Sequence, residues 1–454
     1  MPWNRRLKRR AVALSAFVTL LVFGCSTYTP QRQVVAQEDL ATYNPKDFGK
    51  AASVKRASSV AKEDEWIVKA IWFEQQNNFK QSNLYYKKLY EATHQDEYLL
   101  KELKTALYSG VTSDHIEKLE NYIAKHPDNI AAKRLLLSSH LYAKKYEKAK
   151  SSTLPLLEKS TQAIDFELSA NPYIFTKEYD RAVELLTEAY NKTYNEDILL
   201  KIVTILVNYQ GAVPEAVSRL EMHRSSRGCS EKICLQLVDI YLQQGNITQL
   251  LSIYESLYES TQKEVYAEKA IESYLYLKNH EGAVLFLQTK YKNPEMLYSL
   301  YVDTKDYSKA YSLTQELIST TSDPKWYAEA GITLYESASN KDDKEMLKNV
   351  VNLFEKAFKN GAKNSVYLNY YGYTLIDKDI DVEKGMRTIK KALDEEPDNS
   401  YYLDSLAWGH YKLNQCAEAL SVMKKVVDIE GLDEVEIVEH WNTINQNCKK
   451  EKEE

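Results

Sequence analysis

Bulky, small and apolar residues recur along most of this 454-residue chain with the spacing of paired amphipathic helices. From Trp66 onward, runs with apolar residues every three or four positions alternate with polar turns, which predicts short helices, each burying one face. The stretch 77–90 sets the pattern: Phe79 follows a polar turn, Ser82 occupies a small position, and Tyr86 and Leu89 come four and seven residues after it. Segments 177–190, 245–258, 305–318 and 414–427 can be laid beside it. They place Tyr179, Ile247, Tyr307 and Cys416 at the bulky position, and Ala182, Ala310 and Ala419 at the small one. The period is about 34 residues, and the roughly 385 residues that carry it hold about eleven units.

A preceding helix belongs to each unit. Trp66, Ala70 and Phe73 lead into the first copy, and near the C-terminus Leu368, Gly372 and Leu375 lead on to Ile389, Ala392 and Pro397. Leu403, Ala407 and His410, followed by Ala419, Met423 and Val426, repeat the set. Small residues let two helices approach closely while larger ones fill the wedge between units, and no unit can bury its face alone. This arrangement resembles the tetratricopeptide repeat family. The resemblance implies an all-α, right-handed superhelical solenoid of antiparallel helix pairs spanning 63–433, with 434–454 as a capping helix and charged tail. Pro155 and Pro172 fall inside predicted helices, where each would cost about 3 kcal/mol in a straight helix, so a kink is expected over 150–175. A loop insertion is expected at 337–344.

The N-terminus carries a different pattern. Arg5, Arg6, Lys8, Arg9 and Arg10 precede an apolar run, Ala11 to Phe23, and Gly24 precedes Cys25. Basic segment, short apolar run, small residue and cysteine read as a bacterial lipoprotein signal over 1–24, with Cys25 as the lipidated residue. The apolar run is too short to span the ~30 Å hydrocarbon core as a helix. Residues 25–62 are polar, without sustained periodicity, and read as a flexible tether. Ser26 leaves the mature chain without the aspartate that commonly retains lipoproteins at the inner membrane. An outer-membrane anchor facing the periplasm is therefore expected.

Charge and composition narrow the function. With only 13 glycines and 10 prolines, the punctuation of a multidomain α/β enzyme is missing. Removing the five basic residues of 1–24 leaves 54 basic against 65 acidic side chains, a net charge of −11, which argues against nucleic acid as a partner. His-Glu-x-x-His, Gly-x-Ser-x-Gly, Walker-type and dinucleotide-binding motifs are all missing. No cofactor, metal or small-molecule substrate is expected. Glu439-His440-Trp441 is the one suggestive histidine cluster, and it reads as packing. Beyond Cys25, Cys229, Cys234, Cys416 and Cys448 are even in number, and both pairs suit disulfides in an oxidising compartment, although free, packed thiols remain the alternative. Cys416 and Cys448 are nearly one period apart, so a bridge would pin the closing helix to the last unit.

Binding is the remaining mechanism. On the first helices of the two best-formed units, Asn369, Tyr373 and Asp377, then Tyr401, Asp404, Trp408 and Tyr411, share one face. Aromatics flanked by Asn and Asp suit an extended peptide in a concave groove, unless the same rings pack on the closing helix. The expected function is an adaptor, non-enzymatic and lipid-anchored, for protein partners of an envelope assembly such as a secretion, pilus, flagellar or outer-membrane machine. The alternatives are a self-associating architectural component and, more distantly, an enzyme with no recognisable motif.

Overall fold

The computed structural model describes residues 57–110 and 114–450. Among these residues every regular element is a helix, twenty-three in all, and they form two compact units divided between Gln262 and Lys263. The first unit holds six pairs: α1 (Ala57–Gln75) with α2 (Phe79–Thr93), α3 (Asp96–Ser109) with α4 (His115–Lys125), α5 (Ile130–Tyr142) with α6 (Tyr146–Leu157), α7 (Ala163–Phe175) with α8 (Tyr179–Thr193), α9 (Glu196–Asn208) with α10 (Val213–Arg227), and α11 (Glu231–Gln244) with α12 (Ile247–Thr261). The second unit holds five pairs and a closing helix: α13 (Glu264–Tyr276) with α14 (His280–Thr289), α15 (Pro294–Asp303) with α16 (Tyr307–Thr320), α17 (Lys325–Ser337) with α18 (Lys344–Lys359), α19 (Ser365–Asp377) with α20 (Val382–Glu395), α21 (Ser400–Lys412) with α22 (Cys416–Glu430), then α23 (Val435–Lys450). Eleven pairs is the number the periodicity gives.

Local chemistry punctuates the helices. The turn inside most pairs puts one residue in the left-handed region: Asn77, Lys144, Lys177, Gly211 and Gly245 in the first unit, Lys278, Lys305, Asp379 and Asn414 in the second. That conformation reverses the chain so that the second helix folds back on the first. Asn78, Asn246, Asn279, Asp306 and Asp381 then cap the second helix, each accepting from the backbone N–H three residues on, worth ~1 kcal/mol apiece.

The small positions sit where helices cross. Ala149, Ala182, Ala216, Ala283, Ala310 and Ala419 on second helices are fully buried. The closest approach joins α19 and α20: a Cβ added at Gly372 would lie 2.8 Å from the Gly385 carbonyl oxygen, and one at Gly385 would lie 2.7 Å from that of Gly372. Only two glycines allow these backbones to touch.

Tyrosines tie the second unit together. Tyr298 of α15 and Tyr367 of α19 donate to the two carboxylate oxygens of Glu329 on α17, at 2.6 and 2.7 Å, and Tyr370 donates to Glu336 at 2.9 Å. Burial first, then the adjacent carboxylates, push Tyr298 and Tyr370 well above the usual phenol range, so both stay protonated donors.

The helices run through both prolines: Pro155 lies in the last turn of α6 and Pro172 near the end of α7. The Leu168 carbonyl that Pro172 cannot engage accepts instead from Asn171 Nδ2 at 3.1 Å, so the missing N–H is replaced locally. One boundary needs correction. The tether boundary at 62 shifts, because α1 already starts at Ala57. The connection between α17 and α18 covers 338–343, where Lys341 Nζ caps the α17 carbonyls Tyr335 and Glu336.

Candidate functional site

The face expected to form a peptide groove lies under the closing helix. His440 of α23 reaches across α21 to α19: Nδ1 is 2.9 Å from Asp404 Oδ2, and Nε2 is 3.5 Å from the Tyr373 hydroxyl. Its ring stacks on Trp408 at 4.2 Å, and Trp408 stacks on Tyr411 at 5.0 Å. Tyr411 in turn accepts from Asn447 Nδ2 of α23 at 2.7 Å. Tyr373 and Asp404 are buried, Trp408 and Tyr411 half-buried. Burial works against charge on His440, yet the Asp404 hydrogen bond and the carboxylates of Glu436 and Asp377 raise its pKa above the ordinary histidine value. Burial pushes the Asp404 carboxyl above its ordinary range as well, while His440 pulls it down.

The remaining groove candidates are Asn369, Asp377 and Tyr401. Asn369 and Asp377 are half-buried on α19, with Asp377 beside Lys378 at 3.2 Å, and the Tyr401 hydroxyl is 3.4 Å from Glu430. The structure thus brings Tyr373, Asp404, Trp408 and Tyr411 against the closing helix, the alternative to an open peptide groove. Ala407, Met423 and Val426 need a cover, and α23 supplies Ile437, Ile444 and Cys448, which carries its polar face over Asp404 and Trp408.

Both cysteine pairs are joined. Cys416 and Cys448 have Cα atoms 5.2 Å apart and fix the end of α23 to the start of α22. Closing a loop of 32 residues contributes about 3 to 4 kcal/mol in the chain-entropy estimate. Cys229 and Cys234, with Cα atoms 5.6 Å apart, close a short loop at the start of α11. Cys25 and the whole signal segment lie outside the described residues.

A surface that sequence reasoning missed remains open. Tyr108, Tyr142, Phe175, Tyr209 and Leu242 stand at the C-terminal ends of α3, α5, α7, α9 and α11, spaced 33 or 34 residues apart. They are 42, 59, 57, 58 and 56% exposed. Tyr276, at the same place in the first pair of the second unit, is 72% exposed. Three of the rings are backed by an aromatic at the start of the preceding second helix: Phe79 against Tyr108 at 5.0 Å, Tyr146 against Phe175 at 4.8 Å, and Tyr179 against Tyr209 at 4.9 Å. The first unit thus presents four rings and a leucine at equivalent places of successive pairs, three of the rings held by a neighbouring aromatic. Such a row can stack against an extended chain while losing little side-chain entropy.

Among the described residues, no group of three or more His, Cys, Asp or Glu is placed to hold a metal, and no helix is long and apolar enough to cross a membrane.

Paired helices of 10 to 19 residues, polar turns, small residues at the crossings and a closing helix make the described residues an all-α array of repeated helix pairs, the architecture that the tetratricopeptide resemblance implies. No family model matches the chain, and no curated protein does. Among solved structures it is similar to the APC/C hetero-tetramer Cut9–Hcn1, at 12% identity over 86% of this chain and 98% of that one, with a TM-score of 0.35. Yeast Tom70 shares 12% identity over 88% and 97%, TM-score 0.34. A thermophilic TPR protein of Thermus thermophilus shares 13% over 40% and 99%, TM-score 0.31. The repeat assignment rests on the chain's own helix pairs.

Proposed function

We propose that the protein is a non-enzymatic adaptor, anchored through lipid on Cys25 at the periplasmic face of the outer membrane, that holds protein partners of an envelope assembly. The anchor is supported by the order of basic residues, apolar run, Gly24 and Cys25. With several acyl chains on one cysteine, each methylene worth about 0.8 kcal/mol, attachment would be stable. The observation that carries the binding role is the exposed aromatic row from Tyr108 to Leu242. Regularly exposed large apolar groups mark an interaction surface, and rigid aromatic anchors are what protein recognition most often uses.

The test is site-specific photo-crosslinking in intact cells, with the reactive residue at Tyr142 or Phe175 and, as a control, at Trp408. Adducts with a different envelope protein at the first two positions and none at Trp408 are expected. Adducts consisting only of copies of this chain would replace the adaptor reading with the self-associating one. Acyl label still incorporated into a Cys25→Ala variant would overturn the anchor.

A further inference from the structure

Around Tyr142 and Phe175 the open edge is basic, although the chain as a whole carries a net charge of −6. Lys144, Lys145, Lys148 and Lys177 are exposed, and none has an ion-pair partner among the described residues. Three carboxylates share this edge, and one of them, Glu120, lines the same cleft as Lys148. Glu147 and Glu178 both hold Lys150, at 2.8 and 2.6 Å, and Glu178 also accepts from Thr176 Oγ1 at 2.9 Å. With Lys150 counted, five lysines face three carboxylates, so the edge keeps a positive excess.

Shape follows charge. Lys144, Lys145, Lys148, Tyr146 and Thr176, with Glu147, line a shallow cleft of about 490 Å³. A second cleft of about 370 Å³ shares Lys148 and continues past His140 and Lys133. Farther along the row the turns are neutral: Gln210 and Gly211 beside Tyr209, then Gln243, Gln244 and Gly245 beside Leu242. Basic side chains are thus concentrated at the two middle rungs, where the Tyr146 ring, stacked on Phe175, forms the cleft wall.

We propose that this basic stretch of the aromatic row binds an acidic, extended segment of a partner protein, whose carboxylates lie over Lys144, Lys145, Lys148 and Lys177 and whose apolar side chains pack on Tyr142 and Phe175. The inference rests on the aromatic row being the binding edge. A shallow, lysine-lined cleft walled by the Tyr146 ring, with carboxylates interspersed, suits a chain that offers both acidic and apolar side chains better than a uniformly anionic lipid surface. Exposed Lys–carboxylate pairs are individually weak and screened by salt, so the charges select the partner and speed its arrival while the rings hold it.

The experiment uses the mature chain from Ser26 onward and fluorescence polarisation with three labelled peptides of equal length: repeated Glu-Glu-Phe, Gln-Gln-Phe and Lys-Lys-Phe. Binding of the acidic peptide alone, weakening as salt is raised, is expected. The triple variant K144Q/K145Q/K148Q should lose roughly tenfold in affinity with its thermal unfolding unchanged, and Phe175→Ser should lose binding of every peptide. If the neutral peptide binds as tightly as the acidic one and the lysine variant binds normally, the charge inference is overturned while the aromatic edge stands. If Phe175→Ser leaves binding intact, the edge itself is the wrong surface. Lysine-dependent sedimentation with phosphatidylglycerol vesicles, without peptide binding, would assign the patch to the membrane instead and overturn the proposal.

Discussion

Gly372→Ala should destabilise the second unit although alanine is the better helix former. In an open helix the change gains about 1 kcal/mol. Here the new Cβ would sit 2.6 Å from Ile389 Cγ1 and 2.8 Å from the Gly385 carbonyl oxygen. The isoleucine can rotate, but the carbonyl belongs to the α20 backbone, so the two helices must separate. Overpacking of this kind costs about 1 to 3 kcal/mol, and a backbone partner places it at the upper end, for a net loss of about 1 to 2 kcal/mol. For a unit of this size that lowers Tm by about 2 to 8 °C. Two compact units need not melt together, so the transition should be followed through Trp326, Trp408 and Trp441, which all lie in the second unit, as well as by helical circular dichroism. Gly282→Ala is the control: its Cβ meets only side-chain atoms of Tyr274 and Asn279 and should cost less. The double variant Gly372→Ala/Gly385→Ala should cost less than the sum of its parts, because the first change already parts the backbones. An unchanged or raised Tm for Gly372→Ala would refute the backbone-contact argument.

Asp165 is fully buried and held by Arg134, which donates through Nε and, at 2.8 Å, through Nη2, and by the Ser160 hydroxyl. Asp165→Ala takes a partner from Arg134, which stays partly exposed and keeps its bond to Gln162, and should cost about 1 to 3 kcal/mol in denaturant unfolding of the first unit; no measurable loss would show that water replaces the carboxylate fully. His440 carries a folded-state pKa above its ordinary value of 6.5, so its contribution is complete below that value and disappears as pH rises through the folded pKa. Tm of the second unit should therefore fall on raising pH from about 6.5, and His440→Gln should flatten that slope; a parallel slope in the variant would assign the pH dependence to another group.

The repeat was legible because its signals are local. Bulky, small and apolar positions in the second helices, from Phe79, Ser82 and Tyr86 to Cys416, Ala419 and Met423, carry the period without any knowledge of contacts. The candidate site was not legible, for two opposite reasons. Tyr373, Asp404 and Trp408 do share a face of the first helices, but nothing in their own pattern says that α23 folds across them. Tyr209 is in phase with the buried Ile202 and Leu206, so periodicity assigns it to the core. It is exposed because α9 ends at Asn208 and no residue beyond covers it. The signal that could have found the row was present: Tyr108, Tyr142, Phe175, Tyr209 and Leu242 each stand two or three residues before a left-handed turn residue and recur every 33 or 34 residues.

The carboxylate of Glu329 bears on how the second unit comes apart. In a simple repeat array each pair feels only its neighbours, and unfolding can fray inward one pair at a time. Glu329 on α17 is shared by Tyr298 on α15 and Tyr367 on α19, so three consecutive pairs hold one another through a single side chain. Losing any of the three strands a polar group in a half-buried place, which makes partial unravelling costly compared with losing the block. Under a pulling force, α15 to α20 should give way in one rupture rather than as a staircase of pairwise steps.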